Sequence, residues 1–221
     1  WDRLPEDVQL MVARMVEHAA NRYNTRRPDS GYLLDTKAEE NAWNSEAIAL
    51  AACMFPDHPN AKLWHERARV YMINAFTRSG DRESDKVVDG KPLRERVTSV
   101  TLHEDYTLEN HHRVHPDYLS CSSLNLRNAL LYRAGGLPLP ESMSFGARET
   151  FAVFKGLAAT NGSCFYVNGQ DWWPHRHDVP LMLAAFMGGL HGDREGTYLE
   201  RATLDFFGRM HARFEDGSAW D

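Results

Sequence analysis

The chain has 221 residues, 43% hydrophobic and 25% charged, with a formal net charge of -6. That length suffices for one large domain with a substantial core, and the composition is neither disordered nor fibrous. An acidic balance without a Lys/Arg run gives no general attraction to nucleic acid or anionic lipid, and no apolar run approaches the ~18 residues of a membrane span.

Residues 5–23 place Val8, Met11, Val12, Met15, Ala19 and Tyr23 on one stripe, the pattern of a surface amphipathic helix begun by Pro5. A second helix is expected over 36–55, opened by a capping box of Thr36 and Glu39 and apolar on every side from Ala47 to Phe55. Asn41 and Asn44 continue its buried face by i, i+3 spacing. They are either satisfied core amides or the lining of a cavity, because an unpaired buried amide costs ~1 to 3 kcal/mol. The third helix, 60–78, is amphipathic. The long stretch 81–115 then carries a hairpin over Val87–Leu93 and a short strand over Val97–Leu102.

Pro116 opens an apolar helix over 116–134, followed by an amphipathic one over 141–158. After a polar and aromatic stretch, Asp178 caps an uncharged helix over 179–190, and an amphipathic helix over 196–213 closes the series. Enclosed and amphipathic helices thus alternate. Links entering the enclosed helices are long and rich in His, Trp, Tyr and Asn, whereas links leaving them are short. The fold expected is all-α, an incomplete (α/α) toroid of antiparallel helical hairpins with inner and outer helices and a small β-hairpin in a long loop. It forms a single domain over 1–221, read as a segment of a longer multidomain enzyme. The three long links meet at one end, where helix N-termini favour an anionic group.

Two of those links hold most of the chemistry. Leu108–Tyr118 contains Asn110, His111, His112, Arg113, His115, Asp117 and Tyr118, far more proton-handling groups than a connection needs. Tyr166–Asp178 contains Gln170, Asp171, Trp172, Trp173, His175 and His177, flat indoles beside hydrogen-bonding groups that suit a sugar ring. His111/His115 and His175/His177/Asp178 also offer metal ligands. Pro116 argues against a helix over 111–115, however, and neither segment has a zinc pattern, so no metal or other cofactor is expected. Cys53, Cys121 and Cys164 form no CxxC pair and read as free core thiols. Glycoside hydrolysis has candidate carboxylates in Glu39, Glu40, Glu46, Glu104, Asp105, Glu109, Asp117 and Asp171, but no pair stands out.

The alternating hairpins, the amides Asn41 and Asn44, and the later cluster of Asn110, His111, His112, His115 and Tyr118 resemble the α/α-toroid domain of polysaccharide lyases of the heparinase II/III and alginate lyase kind. The chain departs from them in having no recognisable β-sandwich after the helices and no Gln-His sequence. The resemblance implies β-elimination of a uronic-acid polysaccharide by a periplasmic or secreted enzyme. Asn44 or Asn110 and His111 or His112 would neutralise the substrate carboxylate, while Tyr118 or His115 would exchange protons. Asn41, Asn44, Arg113, Gln170, Asp171, Trp172, Trp173 and His175 would hold the sugar. The partner expected is an acidic polysaccharide or oligosaccharide, with neither nucleic acid nor membrane; a glycoside hydrolase and a non-catalytic carbohydrate-binding module are the alternatives.

Overall fold

The computed structural model describes residues 1, 3–169 and 178–213. Helices α1 (Glu6–Asn21), α2 (Ala38–Met54) and α3 (Ala61–Asn74) come first. A two-stranded antiparallel hairpin, β1 (Val87–Val88) and β2 (Lys91–Pro92), follows in the long connection. The chain continues through α4 (Pro116–Leu119), α5 (Ser122–Ala134), α6 (Ala147–Lys155), α7 (Asp178–His191) and α8 (Arg194–His211), so the all-α expectation holds. α2 packs on α1, α3 and α5; α5 also packs on α6 and α7; α7 packs on α8. The less charged helices therefore neighbour one another in the order α2, α5, α7, and amphipathic helices cover them from other sides. Trp64, Tyr71, Phe76, Tyr132 and Phe151 are the largest fully buried side chains, each contributing roughly 2 to 3 kcal/mol by burial.

Several local expectations are corrected. The capping box does not form, because Thr36 Oγ1 donates to Thr101 O at 2.7 Å and accepts from the Ala38 N–H at 3.2 Å. The helix expected over 116–134 breaks at Ser120–Cys121, where the Ser120 hydroxyl donates to Pro116 O at 2.8 Å and competes with the helical ladder. The helix expected from 141 begins at Ala147 instead. A 3-10 turn, Glu141–Ser144, precedes Gly146 at φ 73°, and a Cβ on that glycine would lie 2.8 Å from Phe76 Cβ. On α1 the buried side turns toward Val16 and Ala20, and Met11 and Met15 face outward. The enclosed reading holds in part only. α2 exposes Trp43 and Leu50, and α5 exposes Leu130, around the Glu46–Arg127 ion pair that joins the two helices.

Residues 97–102 form no strand; side chains fix them together with backbone bonds to Gly31 and Thr77. Asn74, fully buried at the end of α3, accepts the Thr98 and Ser99 N–H groups at 2.8 and 3.0 Å. Its amide nitrogen donates to Val70 O and Arg96 O at 2.8 and 2.9 Å. The hairpin turn expected over 87–93 is present, with Asp89 and Gly90 at φ 47° and 75°, the two left-handed positions of a type I′ turn.

Candidate functional site

The His-rich link makes a second tight turn of the same kind. The Asn110 N–H donates to Arg113 O at 2.9 Å and the Arg113 N–H to Asn110 O at 3.0 Å, with His111 and His112 between them at φ 48° and 66°. Such a turn favours Asn-Gly or Asp-Gly, since a side chain in the left-handed region costs roughly 1 to 2 kcal/mol. Two adjacent imidazoles here are strained, and both are exposed at the tip.

The link before α2 holds that turn in place. The His112 N–H donates to Leu34 O at 2.8 Å, the Leu34 N–H to Glu109 Oε2 at 2.8 Å and the Thr36 N–H to Glu109 O at 2.7 Å. Asn110 Nδ2 donates to Asp35 Oδ1 at 2.7 Å. Leu34 is itself left-handed at φ 64°. On the far side of Glu109, His103 Nε2 lies 2.8 Å from Oε1, and Tyr32 stands edge-on to the His103 ring.

Beneath the turn the backbone is extended at His115 (φ -149°), as the following proline demands. The His115 side chain is fully buried with neither ring nitrogen hydrogen-bonded, 3.6 Å from Asp117 Oδ2 and edge-on to Tyr118. Asp117, also fully buried, accepts the Tyr166 hydroxyl at 2.9 Å through Oδ1. Tyr166 arrives from the third long link, whose small hairpin is clasped by the Ala158–Cys164 bridge. That hairpin seats Gly162 (φ 88°) directly on the α8 backbone, where a Cβ would meet Ala202 O at 2.1 Å. Burial foremost, and then the Asp117 carboxylate, push the Tyr166 phenol well above its ordinary pKa and the Cys164 thiol up to about 12. All three cysteines are free thiols.

The three links therefore converge: the first on the second through Leu34, Asp35 and Thr36, and the third on the second through Tyr166. Of the residues singled out in the sequence, Asn110, His111, His112, Arg113, His115 and Tyr118 gather here. His111 and His112 stand at the surface, whereas Asn110, His115 and Tyr118 lie below it. His115 and Tyr118, the residues expected to exchange protons, are thus both buried. Asn41 is corrected. Its Nδ2 donates to Asp29 O and Asn74 O at 2.8 and 3.1 Å and its Oδ1 accepts the Asp29 N–H at 3.0 Å, so it is a satisfied core amide with no N–H left for a substrate. Asn44 accepts the hydroxyl of Tyr23, just beyond α1, at 2.6 Å through Oδ1. Gln170, Asp171, Trp172, Trp173 and His175 lie outside the described residues. Tyr166, Asp35 and Glu109 complete the site; each sits in a long link, but only spatial pairing distinguishes it.

Alongside the turn runs a cleft of about 680 Å³ whose walls include Tyr32, Ser79, His103, Glu104, Asp105 and Glu109. The Ser79 hydroxyl and N–H hold Glu104 below the usual carboxylate range, and the Thr107 hydroxyl and N–H do the same for Asp105. Among the described residues no group of three His, Cys, Asp or Glu side chains is arranged to hold a metal ion, and no helix is long and apolar enough to cross a membrane. Comparison of the chain with protein-family models, with curated proteins and with solved structures gives no match.

Proposed function

We propose that this chain is the helical part of a secreted or periplasmic polysaccharide lyase that cleaves a uronic-acid polymer by β-elimination, its helices forming part of an (α/α) toroid. The observation that carries the reading is the strained His111–His112 turn, held up by the link that precedes α2. Strain of this kind persists where the surroundings over-determine it, and a connector alone would use Asn-Gly.

In this reading the sugar carboxylate meets Arg113 and one exposed imidazole, which neutralise it and stabilise the charge that builds up as the C5–H bond breaks. The other imidazole takes the C5 proton. The C4–O4 bond then breaks, its electron pair leaves with O4, and O4 receives a proton from a phenol. Tyr166 is the phenol we assign to this: it is half-buried, and its single hydroxyl hydrogen, which rests on Asp117 Oδ1, turns from Asp117 to O4 as the C4–O4 bond breaks. The products are a 4,5-unsaturated uronate and a new reducing end.

A glycoside hydrolase is the second reading, favoured by the carboxylate-lined cleft. That chemistry needs one carboxyl kept protonated, whereas Glu104 and Asp105 are both held toward the ionised form. Incubation with a panel of uronic-acid polymers separates the two. Growth of the ultraviolet absorbance of the unsaturated uronate supports the lyase, and release of saturated reducing ends without it would overturn that reading.

A further inference from the structure

One face of α3 carries three cationic or imidazole side chains, Lys62, His65 and Arg69, at i, i+3 and i+7. They line a pocket of about 320 Å³ closed by Tyr132 of α5 and by Leu137 and Pro138 of the link that follows. Among the described residues no carboxylate lines it. Arg69 has a counter-charge in Asp89, whose Oδ2 lies 4.0 Å from Arg69 Nε while its oxygens accept the Glu141 and Ser142 N–H groups at 2.7 and 3.0 Å. Arg69 Nε is buried without a hydrogen-bond partner. At the back, the buried Tyr132 hydroxyl lies 3.3 Å from His65 Nδ1. Burial and the Arg69 charge hold the imidazole neutral, and burial keeps the phenol protonated. In the tautomer whose Nδ1 accepts from the phenol, Nε2–H is a further donor. The walls thus offer an ammonium, a guanidinium and an imidazole N–H beside an apolar flank.

We infer that this pocket binds a small oxyanion, a phosphate, sulfate or carboxylate group, between Lys62 and Arg69. It is separate from the His111–His112 turn: Ser122, where α5 begins near the turn, lies roughly 15 Å along the helix from Tyr132. Guanidinium and ammonium donors recognise such groups by charge-assisted hydrogen bonds.

Titration of the protein with inorganic phosphate, followed by calorimetry and by the ring resonances of His65, tests the site. Saturable binding that moves the His65 signals is expected, and Lys62→Gln and Arg69→Gln should each weaken it about tenfold, equivalent to about 1.4 kcal/mol. Arg94→Gln removes an exposed cation paired elsewhere, with Asp85, and should leave the dissociation constant unchanged. A parallel titration with glucuronate distinguishes a free ion from a sugar-borne carboxylate, and tighter binding of either supports the site. Unmoved His65 signals for both probes, or equal weakening by Arg94→Gln, overturns it. Lys62→Gln alters an exposed residue, so its result does not depend on whether Arg69→Gln folds.

Discussion

The Tyr166 hydroxyl donates to Asp117 Oδ1 at 2.9 Å, joining the third long link to α4 across 49 residues of sequence. Asp117 is fully buried and its other oxygen has no hydrogen-bond partner, so this phenol is its one hydroxyl donor among the described residues. Tyr166→Phe leaves a buried carboxylate without it, at a cost of about 1 to 3 kcal/mol. On the proposed mechanism the same variant loses the acid at O4. The double variant Tyr166→Phe with Asp117→Asn should recover part of the lost melting temperature, because the buried charge is gone, while turnover on uronic-acid polymers stays lost. Turnover that recovers together with stability would show Tyr166 to be structural only.

His112 is the sharper test of the strained turn. Its φ of 66° costs a non-glycine residue roughly 1 to 2 kcal/mol, and glycine at that position adds about 0.4 to 1 kcal/mol of unfolded-state entropy. His112→Gly should therefore melt no lower than the parent chain, since the N–H bond to Leu34 O belongs to the backbone and remains. Product formation should fall by at least about a hundredfold, the lower range for loss of a general acid or base. Unchanged product formation would place the chemistry elsewhere.

Much of this arrangement was legible in the sequence because it rests on periodicity. The alternation of charged and uncharged helices follows from apolar spacing, and Asp89-Gly90 declares its own turn. Other features depend on contacts that no local pattern encodes. Asn41 and Asn74 are satisfied by backbone groups of Asp29, Arg96, Thr98 and Ser99, so the spacing of Asn41 and Asn44 on one helix face gave no sign of where those amides would be used. The break at Ser120–Cys121 reflects a hydroxyl competing with the ladder, a small local effect hidden within a long apolar run. The His111–His112 turn reads against turn preference altogether, and only the bonds from Leu34 and Asp35 explain how it is held.

Asn74 fixes the stretch that leads to the site. Both hydrogens of its amide nitrogen and its carbonyl oxygen are used in a fully buried position. Asn74→Ala removes six side-chain hydrogen bonds and strands backbone groups of Arg96, Thr98 and Ser99, so a loss on the order of 3 kcal/mol is expected in denaturant unfolding. Because residues 97–102 lead into the cleft walls at His103 and Glu104, hydrogen exchange should accelerate across 97–110 before it does so in α5. A uniform increase across both would mean that the stretch does not open on its own.

The stability of the fold should depend on pH through two histidines. His65 is held less basic than usual by burial and then by Arg69, and His191 by burial and then by Arg148. Each folded pKa therefore lies below the unfolded value of about 6.5, so on acidification the unfolded chain takes up these protons first. Their stabilising contribution is complete above about pH 6.5 and is lost as pH falls through the folded values. The melting temperature should be level from about pH 7 to 8 and lower at about pH 5. Replacing both residues by glutamine should flatten that fall, because glutamine has no proton to gain. If the double variant keeps the full acid slope of the parent chain, the sensitivity arises from other groups.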